Sequence, residues 1–214
     1  MIEAGVHDGS DSETFLETFP EKSLFGFEPD PVAYELASAR LLKYGRRAKI
    51  TKMALSDHVG EVSLVKSGTW GSGSTSVEPA SKKSELIRCD RLENVTDPKG
   101  NGILWLDVEG HAVNVLSGAK NVLKSIVAAK IEVQMHDMYG LRKRDAWQVI
   151  KILEPYELLP LKLPIYPGFF GDILFIHSNF CSPVQKFYSK FAKIIFFLLH
   201  RVLFPLFRKP KNKW

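Results

Sequence analysis

Two cysteines occur in 214 residues, Cys89 and Cys181, and neither belongs to a C-x-x-C pair. A disulfide-stapled scaffold and a thiolate zinc site are thereby excluded, and a reducing compartment is expected. No stretch reads G-x-S-x-G, G-x-x-x-x-G-K-[ST] or H-E-x-x-H, which removes the nucleophile elbow, the P-loop and the zincin helix. The spacing G-x-G-x-x-G is also missing, against a nicotinamide-dependent enzyme. No secretory signal is expected, because Met1 runs straight into what reads as a strand. In the segment from Pro183 to Phe207 the longest uncharged run before His200 is Ile194 to Leu199, far short of the ~20 residues that span a bilayer. Acidic residues are absent after Asp172.

What is present describes one globular domain: 45% hydrophobic and 25% charged residues, enough to bury a substantial core. The net charge of +5 is unevenly spread, since eight of the 29 Lys and Arg follow Asp172. The remaining 21 basic residues face 24 acidic ones, a net of −3, so the body has no basic footprint for nucleic acid.

The opening stretch Met1 to Ser10, M-I-E-A-G-V-H-D-G-S, carries the strongest signal. A short apolar run with an acid, then Gly5 and Gly9, then a polar helix start, is the pattern of a strand turning into a helix beside a ligand. Glu28, in F-G-F-E-P-D-P at the end of the next apolar run, stands where an acid accepts hydrogen bonds from a ribose. The first strand is unusually short: either the fold tolerates that, or residues upstream of Met1 are missing from this sequence.

Ser10 and Glu13 have capping-box spacing for a helix from about Asp11 to Phe19. Leu24 to Phe27 reads as strand two. Asp30 and Pro31 open a second helix, with Ala33, Leu36, Ala37, Leu41 and Tyr44 on one face and Gly45 at its end. Lys49 to Leu55 reads as strand three and Glu61 to Lys66 as a further strand. Ser67 to Ser76, around Trp70, is a flexible loop or a lid, and Glu85 to Cys89 an edge strand. Gly102 to Val108 is a strand buried on both faces. Ala112, Val115, Leu116, Ala119 and Leu123 mark a helix, Ile126 to Val133 a strand, and Lys143 to Leu153 a helix. Tyr156 to Leu161 and Asp172 to His177 form a final antiparallel pair at one edge. The alternation predicts a doubly wound, mostly parallel α/β sheet, with Glu3, Glu28, Asp57, Asp107 and Glu132 at or just past strand ends, where such sheets bind ligands.

Five stretches together resemble the FkbM family of S-adenosylmethionine-dependent methyltransferases: E-A-G-V-H-D-G from Glu3, F-E-P-D-P from Phe27, A-L-S-D-x-x-G-E-V from Ala54, L-D-V-E-G from Leu106, and I-E-V from Ile131. The resemblance covers roughly Glu3 to His177. It implies a Rossmann-like sheet of the class I methyltransferase type and S-adenosylmethionine as cofactor. It places Glu3, Gly5, His7 and Gly9 under the methionine part, Glu28 and Pro29 at the ribose, Ala54, Ser56 and Asp57 at the adenine, and Asp107 beside the sulfonium. Asp107, Glu109 and His136 become the candidate catalytic residues; His111 opens a helix, which favours a solvent-facing position over a base. Ser74 and Trp70 are weaker candidates. No metal site is assigned. His7 stands where the family commonly has Asn, so its ring must point away from the cofactor; Ala112 stands where the family usually repeats an acid.

The function implied is O-methylation of a sugar, glycolipid or small-metabolite hydroxyl in the cytoplasm, without nucleic acid. The alternative is a degenerate Rossmann module acting as a scaffold at a membrane. Residues 1–178 form the expected catalytic domain and 179–214 a basic amphipathic tail. From Pro183 to Phe207, Lys186, Lys190, Lys193, His200 and Arg201 cluster opposite Phe191, Ile195 and Leu198, the pattern of a helix lying in a membrane interface. Residues 183–213 are therefore expected at an anionic membrane surface, the alternatives being packing on the body or against a second copy in a homo-oligomer.

Overall fold

A computed structural model describes the chain except residues 67–74, 80–84, 99, 135–144, 165–169 and 199–214. Trp70, Ser74, His136, His200 and Arg201 therefore lie outside the described residues.

The first strand, β1 (Ile2–Ala4), leads into helix α1 (Ser10–Thr18), followed by β2 (Leu24–Phe27), α2 (Pro31–Leu41) and β3 (Ala48–Thr51). Asp30 caps α2 as expected, Oδ1 accepting from the amides of Val32 at 2.8 Å and Ala33 at 3.1 Å. The capping box of α1 does not form. Gly9, left-handed at φ 80°, occupies the cap position with no side-chain cap, and Glu13 instead turns to Arg40 and Lys43. On α2, Ala33, Ala37 and Leu41 are buried but Leu36 is exposed, so the apolar face is narrower than its spacing implied.

The expected strand Lys49 to Leu55 is two strands. The chain breaks at Lys52 and Met53, and β4 (Ala54–Leu55) leaves the first sheet to pair with a second. That sheet holds β5 (Gly60–Lys66), β6 (Thr75–Pro79) and β7 (Glu85–Asp90) in the order β4-β7-β5-β6. β7 is interior, between β4 and β5, and not the edge strand its composition implied; β6 was not anticipated.

A short turn of helix, α3 (Leu92–Val95), precedes β8 (Gly102–Leu106). The single helix expected after β8 is two, α4 (Ala112–Ser117) and α5 (Lys120–Leu123), parted at Gly118 and Ala119. Their five marker residues are all buried. Then come β9 (Ile126–Gln134), α6 (Ala146–Leu153), β10 (Leu158–Lys162), β11 (Phe170–His177) and α7 (Pro183–Leu198).

The main sheet has the order β10-β11-β9-β8-β1-β2-β3. Its neighbours pair in parallel from β9 to β3, while β11 runs antiparallel between β9 and β10. The final pair forms as expected, with β10 taking the edge. Alternation along the strands serves two cores. Ile2, Ala4, Phe27, Leu104 and Leu106 join α4, α5 and α6 on one face, and Leu24 joins α1 and α2 on the other through Phe15, Leu16, Ala37 and Leu41. Helices on both faces define the doubly wound α/β class. α7 packs against β10, and its Phe196 and Ala192 enter the larger core.

Candidate active site

The loops after β1, β2, β4 and β8 and the end of β9 meet at the carboxyl ends of the strands, where open parallel sheets bind ligands. The loop after β1 is built by close approach. A Cβ on Gly5, which sits at φ +83°, would lie 1.8 Å from the carbonyl oxygen of Asp107, so only glycine lets the turn pass beside the end of β8. Backbone bonds continue the ladder into the loops, Gly5 donating to Phe27 at 2.9 Å and Asp107 to Ala4 at 2.9 Å.

His7 is also left-handed, at φ 52°. Its amide donates to Glu28 Oε2 at 2.8 Å, while its side chain is 73% exposed. The backbone thus faces Glu28 and the ring faces solvent. The amide of Asp30 donates to Glu28 Oε1 at 2.8 Å. Burial raises the Glu28 carboxyl above its ordinary value, opposed by these two amides. Each oxygen keeps a further acceptor direction. Pro29 follows in the same turn.

Glu3 lies behind the loop, buried, accepting the hydroxyl of Ser12 from α1. Burial pushes it up to about 7, with Asp11 and Asp107 adding and Ser12 opposing. From outside, Arg40 of α2 grips the loop: Nε donates to the Asp8 carbonyl at 2.8 Å and Nη2 to Asp8 Oδ2 at 2.8 Å.

At and just beyond β4, Ala54 and Ser56 are buried and Asp57 is exposed. The Ser56 amide donates to Asp90 at 2.9 Å, and its hydroxyl lies 3.2 Å from His111 Nε2. His111 is thus buried and linked to this corner, contrary to the solvent-facing position expected of it. Asp57 accepts from Asn114 at 3.3 Å and lies 2.8 Å from His58 Nδ1, a contact that holds its carboxyl low.

The densest chemistry is at the ends of β8 and β9. Leu106 is in register with Ile131, so Asp107 and Glu132 emerge side by side, and Glu109, at φ 47°, turns back toward them. Carboxylate oxygens of Asp107, Glu109 and Glu132 all lie within 4.8 Å of one another. Glu132 is pushed up to about 8 by burial first, then by Asp107, Glu109 and Asp172. Burial raises Asp107 too, while a hydrogen bond from Glu132 opposes the rise. Lys130, 3.2 Å from Asp172 and 4.2 Å from the centre of the Trp105 ring, also opposes the rise at Asp107. From the sequence Glu132 stands only at a strand end; strand register supplies its neighbours. Ala112, where an acid is usual, is fully buried in the larger core.

A seven-strand sheet with one antiparallel strand next to its edge, a glycine turn after the first strand and an acid after the second, is the framework of a class I S-adenosylmethionine-dependent methyltransferase. Residues 3–154 match the methyltransferase FkbM domain, and the chain belongs to that family. It is 26% identical over 194 residues to the 2-O-methyltransferase NoeI of Sinorhizobium fredii, covering 81% of this chain and 77% of the relative. A ribosomal RNA small subunit methyltransferase H from Prochlorococcus marinus is 39% identical over 57 residues, 27% of this chain and 19% of that protein. The precorrin-6y C5,15-methyltransferase of Geobacter metallireducens overlays with a TM-score of 0.42 at 12% identity, over 82% of this chain and 77% of that one. S-adenosylmethionine is the cofactor. The residues present fit it: a glycine loop, a buried acid with free acceptor directions, and a carboxylate cluster suited to a cationic sulfonium.

Proposed function

We propose that the chain methylates a hydroxyl oxygen of a sugar, glycolipid or other small metabolite, in the cytoplasm and at a membrane surface. The observation that carries the oxygen assignment is the cluster of Asp107, Glu109 and Glu132, because an alcohol must surrender a proton as it is methylated. The relative named as a 2-O-methyltransferase supports the same reading. The acidic body opposes a nucleic-acid acceptor.

Glu3, Gly5, His7 and Gly9 hold the methionine part of the cofactor, Glu28 and Pro29 the ribose, and Ala54, Ser56 and Asp57 the adenine. When bound, the cofactor supplies an activated methyl group. Asp107 and Glu109 would orient the acceptor hydroxyl, and the carboxylate cluster would take its proton. Alignment contributes several kcal/mol, and a positioned base about 10²- to 10⁴-fold.

Calorimetric titration with S-adenosylmethionine and S-adenosylhomocysteine tests the cofactor assignment, with Glu28→Ala and NAD as controls. Micromolar binding lost in Glu28→Ala supports it; a folded chain that binds neither overturns it. Transfer of labelled methyl to sugar, glycolipid and RNA panels then tests the acceptor. Incorporation into RNA alone would overturn the hydroxyl-metabolite assignment.

A further inference from the structure

Helix α7 has three faces. Buried Ser189 and Phe196, with half-buried Ala192, hold it on the body. Lys193 extends that attachment, its Nζ 2.7 Å from Glu154 Oε1. At about 100° per residue, Lys186 and Lys190 form a second face. Val184, Phe187, Tyr188, Phe191, Ile194 and Ile195 form the third, a strip about 120° wide. All six are exposed, Phe187 at 72% and Phe191 at 55%. The Phe187 and Phe191 rings stack, centroids 6.5 Å apart and planes within 8°. The amphipathic pattern of the sequence thus resolves differently from the two-sided helix expected: the body takes a side of its own, and the aromatic side is left facing outward.

We propose that this outward strip of α7 is a docking surface for an anionic lipid bilayer. The helix is fixed lengthwise on the body, so its apolar strip meets a plane rather than a pocket, the geometry of a helix lying in the interface. Charge selects the partner. No acidic residue follows Asp172, while eight Lys and Arg do, so this end of the chain repels nothing on an anionic headgroup layer and attracts much of it. Two copies meeting strip to strip would instead oppose like charges. Beside the strip, a cleft of about 530 Å³ between α6 and α7 is lined by Trp147, Ile150 and Ile194, by Lys151 and Lys190, and by the paired Glu154 and Lys193. The apolar lining suits the upper part of an acyl chain, and Lys151 and Lys190, left over once Glu154 pairs with Lys193, suit its anionic headgroup. No described helix is long and apolar enough to cross a membrane, and lying on the surface requires none.

Co-sedimentation of the full chain with vesicles tests the surface, using phosphatidylcholine alone and phosphatidylcholine mixed with phosphatidylglycerol. Wild type should bind the mixed vesicles, weakly bind the neutral ones, and release as salt rises. The double variant Phe187→Asp, Phe191→Asp changes only exposed positions; it should lose at least about tenfold in binding to mixed vesicles. Val59→Asp, at another exposed apolar position, should bind like wild type. Wild type that ignores mixed vesicles, or a double variant that binds them unchanged, overturns the proposal. So does a double variant that converts a dimer to a monomer without losing lipid, which assigns the strip to a second copy. Calorimetric binding of S-adenosylhomocysteine by the same variants keeps the outcome separate from the methyl-transfer reading, because the strip lies outside the cofactor residues.

Discussion

The His7 amide donates to Glu28 Oε2 at 2.8 Å, joining the glycine loop after β1 to the acid after β2. The Asp30 amide occupies the other oxygen at 2.8 Å. Two backbone donors, that of Asp30 buried and that of His7 partly so, therefore depend on one side chain. Glu28→Gln presents an amide group where an acceptor is needed and leaves one donor unmatched, costing about 1–3 kcal/mol. It should lower the melting temperature and weaken S-adenosylhomocysteine binding at least tenfold. A variant as stable and as tight-binding as wild type would separate the two loops from each other and from the ribose.

Gly5→Ala tests the close approach to β8. Its Cβ would sit 1.8 Å from the Asp107 carbonyl oxygen, at φ +83°. The left-handed conformation alone costs about 1–2 kcal/mol, and the clash must move either the loop or the Asp107 backbone. Denaturant unfolding should show a loss well beyond that of Gly45→Ala, where φ is +57° and nothing lies within 4 Å of the added atom. Equal losses at the two positions would mean that the turn relaxes without cost.

Much of this site was legible from residue types because it depends on backbone geometry that few residues allow. Gly5 and Gly9 announce positive φ, and Asp30 followed by Pro31 announces a helix start that the structure realises. What was not legible depends on partners distant in sequence. Lys49 to Leu55 reads as one strand because its apolar content is continuous, yet it divides when β4 finds β7, whose residues lie some thirty positions on. His111 reads as solvent-facing from its place at a helix start, and its contact with Ser56, 55 positions earlier, goes with its burial. Glu132 gained its significance from the register of β8 with β9.

The carboxylate cluster makes stability depend on pH in a defined direction. Glu132 is raised from 4.5 to about 8 and Glu3 from 4.5 to about 7. The folded state then binds more protons than the unfolded one between these values, so stability is highest in the acid part of the window and falls as pH rises through about 8. Facing Glu132 are Asp107, Glu109 and Asp172, while Lys130 is occupied by Asp172 and Trp105. Glu132→Gln should flatten the fall in melting temperature between pH 5 and 9 and be more stable than wild type at the upper end. If the cluster also receives the acceptor's proton, methyl transfer rises through about pH 8 in wild type and loses that rise in Glu132→Gln.

Arg40 separates stability from site geometry. Its guanidinium holds Asp8 by Nε to the carbonyl and Nη2 to Oδ2, both at 2.8 Å, and reaches Glu13 Oε2 at 3.2 Å. The Arg40 and Asp8 side chains are 39% and 32% exposed, so solvent screens the pair and its loss should cost no more than about 1 kcal/mol. The grip matters for position instead, because Asp8 lies between His7, which bonds Glu28, and Gly9, which caps α1. Arg40→Ala should leave the melting temperature nearly unchanged and weaken S-adenosylhomocysteine binding several-fold by calorimetry. Arg40→Lys keeps the charge but cannot offer two donors in a fixed fork, so it should resemble Arg40→Ala. Full recovery in the lysine variant would show that charge alone, not the fork, holds the loop.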